Sequence, residues 1–227
     1  ILGVTALITN VAIQKTTFKY EIPYMLLITA VLLVMGMTGN EITFIEGVIL
    51  WILFIAYLLY LYILAKKGND SGDEQSVKLY PVWKCLFFIV LGGLCVVIGS
   101  QLVVNGATTI ARACGMSERF IGLTIVAFGT SLPELVTSVS AARKGNAGIA
   151  IGNIVGSNIF NILFVIGTVA LICPVPFESR FVIDTVVAIL CGVLLWGGTI
   201  RHKELRKPCG VVMLLCYAAY FVYLAAM

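Results

Sequence analysis

Histidine and charged residues are scarce in this 227-residue sequence. His202 is the only histidine and lies in a basic segment, which argues against a histidine-based hydrolase or a zinc site. Only 11% of the residues are charged, whereas soluble domains have about 25%. The seven cysteines include no Cys-x-x-Cys pair, and most lie in apolar stretches where cysteine acts as a small hydrophobic residue. We therefore expect no resident cofactor and no enzyme active site.

Apolar residues are abundant, at 60% of the chain with a mean hydropathy of +1.06. Stretches long enough to cross a bilayer as helices recur throughout, which predicts an all-α membrane protein. Seven complete spans are expected near 22–38, 45–65, 84–104, 119–142, 149–172, 181–199 and 209–226, with residues 1–12 as part of an eighth.

The basic residues predict the orientation of these spans. Threading the chain through the membrane places 12 of the 15 Lys and Arg residues on one side, and leaves Arg112, Arg119 and Arg180 on the other. Because basic residues concentrate on the cytoplasmic side, we expect the 66–83 loop to be cytoplasmic and the C-terminus external.

An internal repeat appears when the sequence is shifted by 163 positions. The shift aligns the 45–65 span with the 209–226 span through six identities: Gly47/Gly210, Val48/Val211, Ala56/Ala219, Tyr57/Tyr220, Tyr60/Tyr223 and Leu61/Leu224. We therefore predict that residues 1–65 end a first repeat, 66–83 form a loop, and 84–227 form a complete second repeat. Five spans per repeat require opposite orientations, and inverted repeats are typical of secondary transporters.

The same repeat predicts that an upstream segment exists. The sequence opens at Ile1 without an initiator methionine or the charged start of a signal peptide. The first repeat also lacks a stretch equivalent to 84–161. We expect this missing first-repeat segment to complete any site built between the repeats.

The most informative motif is Gly-Thr-Ser-Leu-Pro-Glu at 129–134, in the middle of an apolar span. A carboxylate such as that of Glu134 costs about 2.5–3.5 kcal/mol at bilayer depth, so it is functional by default. Pro133 interrupts the helix and frees carbonyls near Ala127. Hydroxyl residues share the Glu134 face at spacings of three and four: Thr130, Thr137 and Ser138. Together these groups predict a cation site.

The following span carries two further stripes. Gly148, Gly152 and Gly156 form a smooth ridge, and Asn153, Ser157 and Asn161 form a polar stripe beside it. Such ridges usually serve packing alone, and such amides often join helices. Here, packing of the ridge is expected to place the polar stripe against the Glu134 face. These hard oxygen ligands suit Na⁺ or Ca²⁺. Asp184 and Glu46 lie near span ends and receive no ion role.

Residues 117–168 resemble the second alpha-repeat of the sodium/calcium exchanger family. The resemblance rests on Gly-Thr-Ser-Leu-Pro-Glu at 129–134 followed by Gly-Asn-Ile-Val-Gly-Ser-Asn-Ile-Phe-Asn at 152–161, and continues more weakly through 82–115 and the last two spans. It implies an inverted-repeat transporter fold of ten helices in two halves. Seven of them and part of an eighth are expected in this chain.

The resemblance also implies a ligand set. Glu134 corresponds to the acidic ligand shared by Ca²⁺ and Na⁺, and Ser157 and Asn161 correspond to ligands on the partner helix. Thr130 and Ser131 would contribute hydroxyl or carbonyl oxygens, and Ala127 a backbone oxygen. Asn161 stands where potassium-dependent members carry aspartate, which argues against potassium dependence.

The function implied is secondary antiport of Ca²⁺ against Na⁺ by alternating access, for calcium homeostasis. The short 66–83 loop resembles prokaryotic members, so the bacterial plasma membrane and its lipids are the expected setting. Exchange of Ca²⁺ for H⁺ or of another cation is the alternative, although that branch favours an Asn-Ala-Ala-Glu motif. Another alternative is a non-transporting half-module that pairs with a second chain. An intramembrane protease lacks support, since the spans hold neither paired catalytic aspartates nor a Ser/His arrangement.

Overall fold

The computed structural model describes residues 1–68, 81–116 and 121–226, and these are mostly helical. The helices are α1 (Leu2–Ile8), α2 (Ile22–Gly39), α3 (Phe44–Gly68), α4 (Val82–Ala113), α5 (Ala127–Thr130), α6 (Leu132–Arg143), α7 (Ala147–Phe160), α8 (Gly167–Ile172), α9 (Ser179–Thr199) and α10 (Lys207–Ala226). Three π-helical turns extend them: Thr17–Glu21 before α2, Gly122–Val126 before α5, and Asn161–Ile166 between α7 and α8. Four two-residue strands lie between helices: β1 (Val11–Ala12), β2 (Glu41–Ile42), β3 (Val175–Pro176) and β4 (Glu204–Leu205).

The helices confirm the prediction of an all-α membrane protein. Six are long and apolar enough to span a bilayer in the described part of the chain: Thr17–Gly39, Phe44–Lys66, Val82–Ala113, Gly148–Ile172, Ser179–Thr199 and Lys207–Leu224. A seventh span consists of two segments, Thr124–Thr130 and Leu132–Arg143. Most of the 66–83 loop lies outside the described residues, as does the start of the span predicted at 119–142.

Helix α4 runs farther than the sequence predicted. Its apolar stretch was expected to end at residue 104, yet the helix continues to Ala113. The hydroxyls of Thr108 and Thr109 donate to the Asn105 carbonyl at 3.0 and 2.7 Å. Both hydroxyls therefore form their hydrogen bonds within the helix, which lets the helix continue through these polar residues. The helix ends next to Gly115, whose φ of 76° is the left-handed conformation that closes helices.

The structure divides into two compact units. The large unit comprises the described parts of Ile1–Gly72 and Ser138–Leu214, and the small unit those of Asp73–Thr137 and Leu215–Met227. The core of the large unit is centred on α7, where Ile151, Val155 and Ile159 are fully buried. Helix α2 meets α7 in this core and contributes Ile22 and Ile28, also fully buried.

Two short strand ladders link the repeats in the large unit. Strand β1 pairs antiparallel with β4, with Val11 opposite Leu205, and β2 pairs antiparallel with β3, with Ile42 opposite Val175. Adding 163 to the β2 positions gives those of β4, and adding 163 to the β1 positions falls within one residue of β3. The two ladders are therefore one pairing made twice, as an inverted repeat requires.

A close helix contact is also made twice. A Cβ on Gly47 would lie 3.0 Å from the Ala170 Cβ and 3.1 Å from the Gly167 carbonyl oxygen, where α3 crosses α8. A Cβ on Gly210 would lie 2.8 Å from the Ala6 Cβ and 3.0 Å from the Gly3 carbonyl oxygen, where α10 crosses α1. The two sets of residues match at offsets of 163 or 164. The identity of Gly47 and Gly210 thus reflects the same backbone approach in both copies.

Candidate functional site

The six predicted ligand residues divide between the two units. The small unit holds four of them, and the large unit holds Ser157 and Asn161. The four are Ala127, Thr130, Ser131 and Glu134.

The predicted interruption of the Glu134 span is confirmed. The helical segments on either side of Ser131 are bent by 45°. The Ser131 N–H donates to the Phe128 carbonyl at 3.1 Å, three residues back rather than four, which tightens the end of α5. Pro133 then lies in the first turn of α6, where its missing N–H breaks no helical hydrogen bond. Helix termini consequently meet inside the span.

Two of the predicted ligands on the first side of the break already contact each other. The Thr130 hydroxyl donates to the Ala127 carbonyl oxygen at 3.1 Å. A donating hydroxyl keeps its lone pairs, and a carbonyl oxygen accepts more than one partner. Both oxygens therefore retain acceptor capacity toward a cation.

Glu134 lies on the other side of the break, in the first turn of α6. One of its carboxylate oxygens, Oε2, is shielded from solvent. A carboxylate at a helix N-terminus is favoured by the positive end of the helix dipole. No group of three or more His, Cys, Asp or Glu side chains able to hold a metal exists among the described residues. Among the six predicted ligand residues, Glu134 is the only carboxylate and the other five offer neutral oxygens.

Packing against α4 fixes the first side of the break. Gly129 is buried, and a Cβ added to it would overlap a Val104 methyl group. Real Cβ atoms do not approach a methyl group that closely, so α4 contacts the α5 backbone only because residue 129 is glycine. Thr130 follows Gly129 directly and Ala127 precedes it by two residues, so this contact also positions both predicted ligands.

Gly129→Ala is expected to reduce ion transport by roughly tenfold or more, since overpacking of about 1–3 kcal/mol must displace either α4 or the ligand-bearing turn. Val104→Ala removes the clashing methyl groups. The double variant Gly129→Ala/Val104→Ala should therefore recover transport, measured as ion flux in vesicles that contain the protein with its predicted upstream segment. Equal flux in Gly129→Ala and wild type would contradict this role for the contact.

The two polar stripes meet within the large unit. The Asn153 Nδ2 donates to the Ser138 Oγ at 3.4 Å, and the Ser138 Oγ donates to the Ala150 carbonyl at 3.5 Å. Ser138 is fully buried. It is therefore a hydrogen-bonding contact between α6 and α7, and it belongs to the helix face that carries Glu134.

Asn161 and Ser157 follow Asn153 along the same chain segment. Ser157 is half-buried on α7, and Asn161 is the exposed first residue of the π-helical turn Asn161–Ile166. Single π-helical turns are frequent at functional sites because the extra residue breaks the regular hydrogen-bond pattern. Sequence reasoning missed this turn and the similar one at Gly122–Val126, since neither carries a proline or another recognisable signal.

The glycine ridge of α7, formed by Gly148, Gly152 and Gly156, makes no close helix–helix contact within the described part of the large unit. A Cβ on Gly148 would meet the Gln14 side chain at 3.3 Å, and one on Gly152 or Gly156 would meet no described atom of this unit within 4 Å. Packing of α7 here depends on its large apolar residues instead. The expectation that the ridge packs against the Glu134 helix stays a prediction.

Comparison with known proteins defines the class. Residues 84–226 match the family model described as sodium/calcium exchanger protein. The inner membrane protein YrbG of Escherichia coli is 32% identical over 94% of this chain and 68% of its own length. The sodium/calcium exchanger MaX1 of Methanosarcina acetivorans is 39% identical over 62% of this chain and 41% of its own length. A solved structure of the sodium-calcium exchanger NCX_Mj superposes with a TM-score of 0.78 at 32% identity, covering 98% of this chain and 71% of that one.

The fold, the broken acidic span and these matches define a multi-pass membrane transporter rather than an enzyme. The chain belongs to the sodium/calcium exchanger family. Its family model covers the second predicted repeat, and the superposition extends over both.

Proposed function

We propose that this chain contributes to the electrogenic exchange of Ca²⁺ for Na⁺ across a membrane. The observation that carries the proposal is the hydrogen bond from Asn153 to Ser138, because it joins the helix of the acidic motif to the helix of the amide stripe. Membership of the exchanger family supports the same function.

The geometry of the two helices relates the Asn153–Ser138 contact to the predicted ligands Glu134 and Ser157. Glu134 precedes Ser138 by four residues and Ser157 follows Asn153 by four, so each is displaced by one turn, about 6 Å, from the contact. Because α6 and α7 follow each other through a short connection, both displacements run away from that connection. We propose that Glu134 and Ser157 thereby face one ion site, with Asn161 a further turn away.

The ligand chemistry suits two competing cations. One carboxylate, two or three hydroxyls, an amide oxygen and the Ala127 carbonyl are all hard oxygen ligands, which Ca²⁺ and Na⁺ share. Ca²⁺ takes about six to eight such oxygens, and we propose that the six residues of this chain supply part of its shell. Occupancy by one ion excludes the other, and this exclusion couples the two fluxes.

We propose that the rest of the shell comes from a counterpart of 84–161. The repeated ladders and glycine contacts relate parts of residues 1–68 to the end of the second repeat, and none of them gives 84–161 an equivalent in the described part of the chain. Sites of inverted-repeat transporters lie between the copies. Residues 1–227 alone should therefore bind Ca²⁺ weakly and exchange nothing, whereas the protein that also carries the counterpart should exchange.

The counter-ion is tested in vesicles containing that complete protein. We expect an outward Na⁺ gradient to drive ⁴⁵Ca²⁺ uptake, independent of K⁺, and an outward H⁺ gradient of equal size to drive none. Collapse of each gradient with the matching ionophore is the control. Uptake driven by H⁺ alone would overturn Na⁺ coupling and identify a Ca²⁺/H⁺ antiporter.

The charge distribution supports a proposed orientation in a bacterial inner membrane. Because 12 of the 15 basic residues fall on one side of the predicted spans, we propose that the 66–83 loop is cytoplasmic and the C-terminus external. A reporter fused after Met227 that is active only outside the cell tests this assignment. Activity of a cytoplasmic reporter at that position would reverse it.

A further inference from the structure

A second acidic side chain lies in a membrane span of the large unit and plays no part in the proposed exchange site. Glu21 ends the π-helical turn Thr17–Glu21 that leads into α2, and only 9% of it is exposed. The Thr17 side chain, one helical turn earlier, interacts with its carboxylate. It forms no ion pair with any Lys, Arg or His in the part of the chain that the structure describes. A buried carboxylate needs a positive partner or a proton, since an uncompensated charge there is costly.

The surroundings of Glu21 are aromatic. A cavity of about 280 Å³ is lined by Tyr20, Glu21, Tyr24, Ala56, Tyr57 and Tyr60. The Tyr24 and Tyr57 rings stack nearly parallel, with centroids 5.5 Å apart. Tyr60 extends the wall, 6.2 Å from Tyr57 on one side and 6.2 Å from Tyr20 on the other. We call Glu21 and these four tyrosines the tyrosine cage.

The polar groups of the tyrosine cage do not neutralise the charge of the Glu21 carboxylate. The Tyr24 hydroxyl donates out of the cage to the Leu53 carbonyl at 2.9 Å. The Glu21 carboxylate interacts electrostatically with the hydroxyls of Tyr57 and Tyr60. The Tyr60 hydroxyl is buried and has no hydrogen-bond partner among the described residues. A cation would balance the charged form of this carboxylate, and one ammonium, that of Lys19, lies 5.2 Å from the Tyr20 ring centroid at the edge of the cage.

The shape and lining of the cage select the kind of cation. Ca²⁺ takes about six to eight oxygen ligands, whereas this cavity offers mainly ring faces. A volume of about 280 Å³ also far exceeds the roughly 30 Å³ that one water occupies. Aromatic faces attract weakly hydrated organic cations, and quaternary ammonium groups are recognised by such cages.

The second repeat has only part of this arrangement. The 163-residue shift carries Glu21 to Asp184, and carries Tyr57 and Tyr60 to a tyrosine pair whose centroids lie 6.3 Å apart, Tyr220 and Tyr223. It carries Tyr20 and Tyr24 to residues without rings, Ile183 and Val187. Two walls of the cage thus belong to the first copy alone, so the complete cage is not a by-product of the repeat.

We propose that the tyrosine cage is a binding site for an organic ammonium group, with Glu21 as its counter-charge and the faces of Tyr24, Tyr57 and Tyr60 as its walls. The group belongs either to a free alkylammonium compound or to the amine of a lipid headgroup. Both sources carry the same ammonium group. The residues of the cage lie on two helices that are long enough to span the membrane, Thr17–Gly39 and Phe44–Lys66.

Choline and its uncharged isostere 3,3-dimethyl-1-butanol test the proposal on the purified protein by calorimetry at constant ionic strength. We expect choline to bind and the alcohol not to bind. Glu21→Gln and Tyr57→Leu should each weaken choline binding by about tenfold or more, because each removes one principal attraction. Glu41→Gln, which changes an exposed carboxylate of the same unit outside the cage, should bind choline as wild type does.

A second experiment, with lipid vesicles, distinguishes a lipid headgroup from a free ammonium compound as the occupant of the cage. Native mass spectrometry of the protein from vesicles of phosphatidylethanolamine and phosphatidylglycerol should reveal retained phosphatidylethanolamine, lost in Glu21→Gln, if the lipid amine is the occupant. Choline binding without lipid retention identifies a free ammonium compound. Equal binding of choline and the alcohol, unchanged binding in Glu21→Gln, or displacement of choline by an equal concentration of Na⁺ would each overturn the proposal. Glu134→Gln should bind choline normally, so loss of exchange and loss of this site are separable.

Discussion

Glu134→Gln is expected to abolish Na⁺-driven Ca²⁺ uptake in vesicles, with a loss of more than about 100-fold. Glutamine keeps the size and the hydrogen-bonding oxygen of glutamate but removes the charge that balances a divalent ion. Breaking a buried charge pair costs about 3–5 kcal/mol, and each 1.4 kcal/mol is a factor of ten. The measurement is initial ⁴⁵Ca²⁺ uptake in vesicles that contain the protein together with the proposed counterpart of 84–161.

The variant should still insert and fold, because the helix end at Ser131 does not depend on the charge. Glu41→Gln is the matched control: it makes the same chemical change at an exposed position outside the broken span, and should leave uptake unchanged. Uptake by Glu134→Gln within a few-fold of wild type would remove Glu134 from the site. Loss of uptake in both variants would point to a general effect of charge removal.

Gly47→Leu and Gly210→Leu should each destabilise the protein strongly. The atoms that a new side chain would meet include backbone carbonyls, at 3.1 Å for Gly47 and 3.0 Å for Gly210, and these cannot rotate away. Overpacking typically costs about 1–3 kcal/mol, and we expect about 3 kcal/mol or more at these two positions. The readout is the temperature at which the detergent-purified protein loses its monodisperse chromatographic peak.

Gly197→Leu provides the control for this pair. It makes the same substitution in the long helix α9, where a Cβ would meet no described atom within 4 Å. Its melting temperature should remain close to that of wild type. The inverted repeat further predicts that Gly47→Leu and Gly210→Leu lower the melting temperature by similar amounts. A large effect at one position and none at the other would contradict the equivalence of the two contacts.

Sequence reasoning predicted the spans and the break because each depends on strong local chemistry. Apolar length fixes a span whatever it packs against, and a proline fixes where a helix can begin. The bend lies at Ser131 rather than Pro133 because proline fits the first turn of α6 and is unfavourable for the residues before it. The extension of α4 to Ala113 was missed because Thr108 and Thr109 are polar, yet their hydroxyls hydrogen-bond to the helix backbone at Asn105.

Features that depend on contacts between distant residues could not be predicted from the sequence. The two-residue strands carry no alternating pattern, since their formation depends on partners up to the other end of the chain. The Gly129 contact requires knowing that Val104 lies beside it. The stripe of Asn153 was recognised from its spacing, but only the structure identified Ser138 as its hydrogen-bonding partner. The ligand roles of all six residues, and the division into domains at 65 and 84, stay predictions.

The crosswise strand pairing has a consequence for the order of assembly during synthesis. Val11 pairs with Leu205, so 194 residues must be made after the first strand before its partner exists. At about 5–20 residues per second, this delay is roughly 10–40 s. The earliest helices therefore enter the membrane well before their final neighbours, and a ribosome that stops before residue 204 releases a chain whose first strand has no partner. Quality control in the cell has that whole interval in which to recognise an unfinished molecule.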